Sequence, residues 1–311
     1  MQHTTQQRLR GCFQHRKQCD EERAMRDSGY VTPATISPTA HYTGFVWARH
    51  GLSHPALVTA EGRALFHLLR PAAAIGGALG APYIESVLMT RHRLIDLRLS
   101  EAIESGRITQ VVEIAAGLSP RGWQFSQRYA DRLTYIEADL PGMTLRKREA
   151  LARIGPLAPN HRVVDLDALA DDGPESLAAL VATLDATQGV AIVTEGLLNY
   201  FNEDVVRGIW QRFARALGRF PRGVYWSDLH LSSETRGPGV GTFVKLLSIF
   251  VKGRVSLHFT SAEQASAALR ESGFTAASLL DPRDFSAQLG DIPNGVSRHV
   301  RIIEARATGQ A

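Results

Sequence analysis

Cysteine is nearly missing from this chain: its 311 residues include two, Cys12 and Cys19, both in the charged opening segment. Neither a disulfide framework nor a four-ligand zinc site can be assembled from them. Histidines and carboxylates show no ligand spacing either, so no metal is expected. Long apolar runs are missing too. No stretch approaches the roughly 18 consecutive apolar residues of a spanning helix, and the polar, basic amino terminus has no apolar segment behind it. A soluble, cytoplasmic protein without a membrane partner is expected. Neither sign of charge dominates: 35 Lys and Arg stand against 31 Asp and Glu, a formal +4. The arginines are scattered among segments that also carry acids, so nothing points to a nucleic acid as partner.

What is present is ample apolar material, 44% of residues, enough for one large core. Residues 1–33, rich in Gln, Arg, Glu and His without apolar period, are expected to form a flexible polar arm. Residues 34–311 are expected to form a single domain that opens with a helical cap and lead-in helix over 34–105. There Tyr42, Phe45 and Trp47 supply aromatic surface, and 60–69 reads as a helix with Ala64, Leu65, Leu68 and Leu69 on one face. The spacing of Val87, Leu88, Ile95, Leu99 and Ala102 predicts a long helix over 84–105, stopped by Gly106.

From 106 to 311 strands and helices alternate. Apolar runs at 110–115, 134–138, 162–166 and 189–194 are separated by stretches long enough for crossover helices, notably 141–154 and 175–184. A helix at 203–217 leads to a further strand at 223–227. An irregular insert follows at 232–258, with a helix near 243–251. Ser261, three residues before Gln264 as in a capping box, then opens a helix that Gly273 closes. Two final runs, 274–280 and 299–305, can pair antiparallel at one edge. The pattern specifies an α/β fold: a doubly wound, mainly parallel, seven-stranded, Rossmann-like sheet with helices on both faces.

The chemistry concentrates at strand ends. Val111 to Gly122 reads as a buried strand running into small residues, with Ser119 and Pro120 as N-cap and N1 of the next helix. This is a nucleotide-type turn, although Ala115, Ala116 and Gly117 replace the usual glycine series and small residues there also serve plain tight packing. Asp139 closes the next strand about twenty positions on, where an acid accepts the hydrogens of both ribose hydroxyls; that spacing serves a nicotinamide cofactor equally. Glu113, inside the first strand, favours a sulfonium or ammonium ligand over a pyrophosphate, unless it is an edge carboxylate paired with an arginine. Asp165-Leu166 ends a third strand where an adenine edge would lie, and Glu195 ends a fourth. Four strands ending in acids on one edge of an open α/β sheet mark a ligand site, because that edge is where such sheets bind.

These residues resemble a known family. Arg91-His92-Arg93-Leu94-Ile95-Asp96, Gln110 to Leu118, Glu137-Ala138-Asp139-Leu140-Pro141 and Glu195-Gly196-Leu197-Leu198-Asn199-Tyr200 together look like the leucine carboxyl methyltransferase superfamily, which includes bacterial O-methyltransferases of polyketide biosynthesis. The likeness covers roughly residue 37 to the end. It implies a class I methyltransferase fold and S-adenosyl-L-methionine as cofactor. By that resemblance Arg91 holds the methionine carboxylate with Arg93 assisting, a role suited to a fork of donors. Ala115 and Gly117 line the amino-acid end, Asp139 holds the ribose, Asp165 and Leu166 hold the adenine, and Glu195 closes the pocket. The chain departs from the family pattern at Ala115, commonly Gly, and at Ser119, commonly Asp. His41 or Arg49 would replace a basic contact that the family carries further upstream.

Methyl transfer from a sulfonium is an in-line displacement, so the protein must align the acceptor and exclude water. A carboxylate acceptor arrives nucleophilic; a hydroxyl needs a base. Substrate-side candidates are Asp228 and His230 after the fifth strand, and His41, Tyr42, Trp47, His50 and His54 in the cap. The expected function is therefore O-methylation of a small molecule of polyketide-like or aromatic kind. A protein C-terminal carboxyl methyltransferase and a silent cofactor- or partner-binding protein are the alternatives.

Overall fold

A computed structural model describes residues 38–78, 84–234 and 256–309. The expected arm at 1–33, with Cys12 and Cys19, and the expected helix at 243–251 lie outside the described residues. The described chain runs through helices α1 (Pro38–Arg49), α2 (Ala60–Ala78) and α3 (Ile84–Glu104) before the first strand. It continues with β1 (Gln110–Ile114), α4 (Arg121–Arg128), β2 (Thr134–Asp139), α5 (Pro141–Ala152) and β3 (His161–Asp165). Then come α6 (Leu177–Val181), β4 (Val190–Thr194), α7 (Glu203–Leu217) and β5 (Gly223–Leu229), followed by α8 (Ala262–Glu271), β6 (Ala276–Leu280) and β7 (Arg301–Ala307).

The seven strands form one sheet in the order β3-β2-β1-β4-β5-β7-β6. β1 through β5 pair in parallel, and β7 pairs antiparallel with both β5 and β6, so β7 alone runs against the rest. The central strands are rich in Val and Ile because helices cover both faces and every position must be apolar or paired. Val112, Ile114, Ile136 and Ile192 pack with Leu180 of α6, Trp210 and Phe213 of α7 and Leu269 of α8. On the other face Val111, Tyr135, Val193 and Trp226 pack with Trp47 of α1, Leu94 and Ile95 of α3 and Phe125 of α4. The expected cap residues Tyr42 and Trp47 belong to this core.

Local chemistry sets the helix ends. Asn202 accepts the Val205 N–H at 3.0 Å and Glu203 and Asp204 fill the first turn of α7, where the helix dipole favours acids. Ser261 accepts the Gln264 N–H at 3.3 Å, while the Gln264 amide reaches back to the Thr260 N–H at 2.8 Å, one residue earlier than a capping box would place it. Gly106 takes a left-handed φ of 68° just past α3.

Two expectations change. α2 continues through Pro71 to Ala78, and its packed face is Gly62 and Phe66, with Leu65 and Leu69 half-buried; Ala64 and Leu68 are exposed. The reason is a close helix crossing: a Cβ on Gly62 would lie 2.1 Å from the His41 carbonyl oxygen of α1. Ser119-Pro120 also sits one residue earlier than expected, because α4 begins at Arg121; Ser119 Oγ still accepts the Arg121 N–H at 3.2 Å. Among the described residues no helix is long and apolar enough to cross a membrane.

Candidate active site

The chain leaves β1 toward β2 and β3 on one side and returns to β4 on the other. That reversal opens a crevice outside the carboxyl ends of β1 and β4, the topological switch point. The turn after β1 carries two left-handed residues, Ala115 (φ 54°) and Gly117 (φ 51°). Such a conformation is ordinary for Gly and costs Ala on the order of 1 kcal/mol. Asp139, at the tip of β2, fixes the turn. Its two carboxylate oxygens accept the Gly117 and Leu140 N–H groups, each at 2.8 Å. Burial raises its pKa, and those two N–H groups oppose the rise. Each oxygen keeps a lone pair for a further donor.

A layer of buried charge lies beneath. Strand alternation turns Glu113 and Glu137 to the face that carries Val111 and Tyr135, and the adjacent strands bring Glu195 and Asp228 alongside. Arg121, fully buried in the first turn of α4, answers three acids. Its Nη1 donates to Glu113 at 2.6 Å, its Nη2 to Glu195 at 2.7 Å, and its Nε to Asp96. Arg91 from α3 donates to Glu195 at 2.9 Å through Nε and to Asp228 at 3.0 Å through Nη1. The His92 ring lies 2.9 Å from Glu195, and the Tyr135 hydroxyl donates to Glu113 at 2.8 Å. Gly196, with φ 74°, donates its N–H to Asp228 at 2.7 Å, and a Cβ there would stand 3.3 Å from both Arg91 Nη atoms.

Taking an ion from water costs several kcal/mol, so each of these charges persists only because it is paired. Burial alone would raise the Glu195 pKa, but His92, Arg91 and Arg121 override it and hold the carboxyl far below the usual range. Glu113 goes the other way: burial, aided by neighbouring Glu137, pushes it up against the pull of Arg121. Glu137 is brought down by Lys147 and His161 despite its burial.

Several expected roles are met by other geometry. Arg93 is two residues from Arg91, about 200° around the helix, and its Nη1 donates to the Leu289 and Asp291 carbonyls at 2.7 Å each; it tethers a distant loop and does not join Arg91. Glu113 does not face the crevice, since Arg121 and Tyr135 occupy its oxygens. It is the arginine-paired carboxylate, in the interior and not at an edge. Asp165 takes the Thr144 hydroxyl and Arg148, the latter at 3.1 Å. Leu166 is 2% exposed, and its N–H donates to the Asp139 carbonyl at 2.8 Å, so it braces the Asp139 turn from the core.

The substrate-side set divides. Asp228 joins Arg91 as described, and His230 lies next to it, Nε2 3.9 Å from Asp228, with Nδ1–H donating to the His299 carbonyl at 2.6 Å. Burial lowers the His230 pKa. The cap residues turn elsewhere. His41 bonds Thr59 at 2.8 Å, His50 bonds Glu85 at 2.8 Å, and His54 caps a 3-10 turn by accepting the Ala56 N–H. Tyr42 is buried against Phe66, which raises its hydroxyl pKa, and Arg49 lies over the Phe66 ring. Arg121, His92 and Lys147 were missed in the sequence, although a glutamate inside an apolar strand already requires a buried cation nearby.

Residues 54–214 match the family model of leucine carboxyl methyltransferase. A candidate S-adenosyl-L-methionine-dependent methyltransferase of Mycolicibacterium smegmatis is 40% identical over 99 residues, 31% of each chain. One of Mycolicibacterium gilvum is 30% identical over 117 residues, 38% of this chain and 36% of that one. The chain thus matches 31% and 36% of the length of these curated relatives. In fold it is similar to a DUF574 family protein from Streptomyces avermitilis, with a TM-score of 0.57 at 12% identity over 88% of this chain and 97% of that one. It is similar also to a candidate methyltransferase from Thermobifida fusca, with 0.56 at 16% identity over 87% and 94%.

Proposed function

The chain belongs to the leucine carboxyl methyltransferase family, and on that premise we propose that it is an S-adenosylmethionine-dependent methyltransferase acting on an oxygen of a small molecule, of polyketide-like or aromatic kind. The observation that carries the reading is the junction at the switch point: Asp139 holds the Gly117 N–H on one side of the crevice while Arg91, Glu195 and Asp228 meet on the other.

The residues fit the cofactor by their chemistry. Asp139 retains a lone pair on each oxygen for the two ribose hydroxyls, and the Asp165 carboxylate stands beside it on the neighbouring strand. Gly196 leaves open the space directly over the Arg91 guanidinium that any side chain would fill, which suits a carboxylate approaching Arg91. Glu195 and Asp228 are both paired with Arg91, so the junction offers the guanidinium to an anionic group and the carboxylates beside it to a cationic one. When bound, S-adenosylmethionine supplies an electrophilic methyl group; the protein's part is to orient the acceptor and keep water out.

Thermal unfolding with two ligands tests the reading. S-adenosylhomocysteine is expected to raise the melting temperature, by an amount equivalent to about 2.7 kcal/mol at a hundredfold excess over its Kd, and NAD to leave it unchanged. Stabilisation by NAD and none by S-adenosylhomocysteine would refute it.

A further inference from the structure

Lys147 of α5 is buried, and its ammonium sits under the turn that follows β1. The ammonium donates to two carbonyls of that turn, Ser119 and, at 3.4 Å, Gly117, and forms an ion pair with Glu137, Oε1 at 2.8 Å. Glu137 in turn is held by His161 at 3.0 Å. It is roofed by Gly122 of α4, where a Cβ would lie 2.4 Å from the carboxyl carbon. Gly117 is therefore gripped at both ends of its backbone, the N–H by Asp139 and the carbonyl by Lys147.

We propose that Lys147 is a positioning residue for the nucleoside site, one that fixes the turn at 115–119 and presents Asp139 to the ribose before the ligand arrives. The inference rests on the cofactor reading above. The fold alone does not call for a lysine. An apolar side chain of similar volume packs between a strand and a helix with no ion to desolvate, and replacing buried ionic groups in that way is often neutral or stabilising. What an apolar residue cannot do is hold two carbonyls of a turn that contains a left-handed alanine. Its charge acts on Asp139 as well. Asp139 faces Lys147 from α5, Glu113 from β1 and Asp165 from β3, with the Gly117 and Leu140 N–H groups on its oxygens. Among the side chains, Lys147 is the cation that favours the ionised carboxylate and Glu113 opposes it.

The test is Lys147→Met, read by calorimetric titration with S-adenosylhomocysteine over a pH series and by urea unfolding. The expected result is a Kd raised at least about tenfold; the urea midpoint falls as well, because Glu137 is left buried without its cation, so the acid limb decides the reading. The acid limb of the affinity profile moves to higher pH, because Asp139 protonates more readily without the ammonium; loss of mere packing moves the midpoint and leaves the limb in place. Lys147→Met with Glu137→Gln leaves no unpaired carboxylate, so its midpoint is expected nearer that of the wild type while the raised Kd and the moved acid limb remain. A folded variant with wild-type affinity and an unmoved acid limb overturns the proposal. Wild-type protein that binds no S-adenosylhomocysteine removes the cofactor reading and, with it, this role for Lys147.

Discussion

Arg121 and Glu195, 74 residues apart in the chain, meet with Nη2 2.7 Å from Oε2, and through this contact the helix after β1 is bound to the tip of β4. The same guanidinium also holds Glu113 and Asp96. Arg121→Met is expected to destabilise the protein by about 3–5 kcal/mol, since it leaves buried carboxylates without their counter-charge. Urea unfolding checks this. Arg121→Lys is not expected to rescue it, because one ammonium cannot replace a planar fork that faces three acids.

Backbone conformation at the crevice gives a pair of opposite outcomes. Ala115→Gly removes a left-handed alanine and is expected to stabilise by about 1 kcal/mol. Gly196→Ala adds a Cβ at φ 74° and 3.3 Å from Arg91 and is expected to destabilise by about 1–3 kcal/mol. Thermal or urea unfolding of the two variants compares them directly.

Arg93 and Arg91 lie on nearly opposite sides of α3, so their variants are expected to differ in kind. Arg93→Ala leaves the S-adenosylhomocysteine Kd unchanged and loosens the loop at 289–291, whose two carbonyls it holds. Amide hydrogen exchange in that loop is expected to quicken. A Kd raised tenfold in Arg93→Ala would return it to the cofactor site.

The sheet was legible in the sequence because parallel strands buried on both faces must be continuous Val and Ile runs, as at 190–194, and because Asn, Ser and Gly mark the helix ends. The acids at the strand tips were legible because Asp139, Asp165 and Glu195 each stand where a strand run stops, on one edge of the sheet. Two kinds of fact were not. Leu68 looked like a core residue because periodicity counts apolar side chains and cannot register that Gly62, with none, sets the closest helix approach. Arg121 gave no signal in the sequence because its partners come from α3, β1 and β4, contacts that tertiary pairing alone creates.

Stability is expected to fall on acidification in two stages. Burial depresses the His230 pKa in the folded state, so the unfolded chain binds its proton first, and the stability tied to neutral His230 is lost as pH drops below about 6.5. Glu195 is likewise depressed, and its contribution, present above about 4.3, is lost as pH falls further toward its folded value. Urea unfolding at pH 7.5, 5.5 and 4 reads both stages in order, and His230→Gln is expected to reduce the first, which His41, His258 and His299, also lowered by burial, share.

The most direct measurement is calorimetric titration of the wild type and of Asp139→Asn with S-adenosylhomocysteine. The wild type is expected to bind one equivalent, and Asp139→Asn to bind at least about tenfold more weakly, from the loss of charge-assisted hydrogen bonds to the ribose of roughly 1.5–3 kcal/mol each. Equal affinity in the two proteins, or no binding to the wild type, would contradict the account.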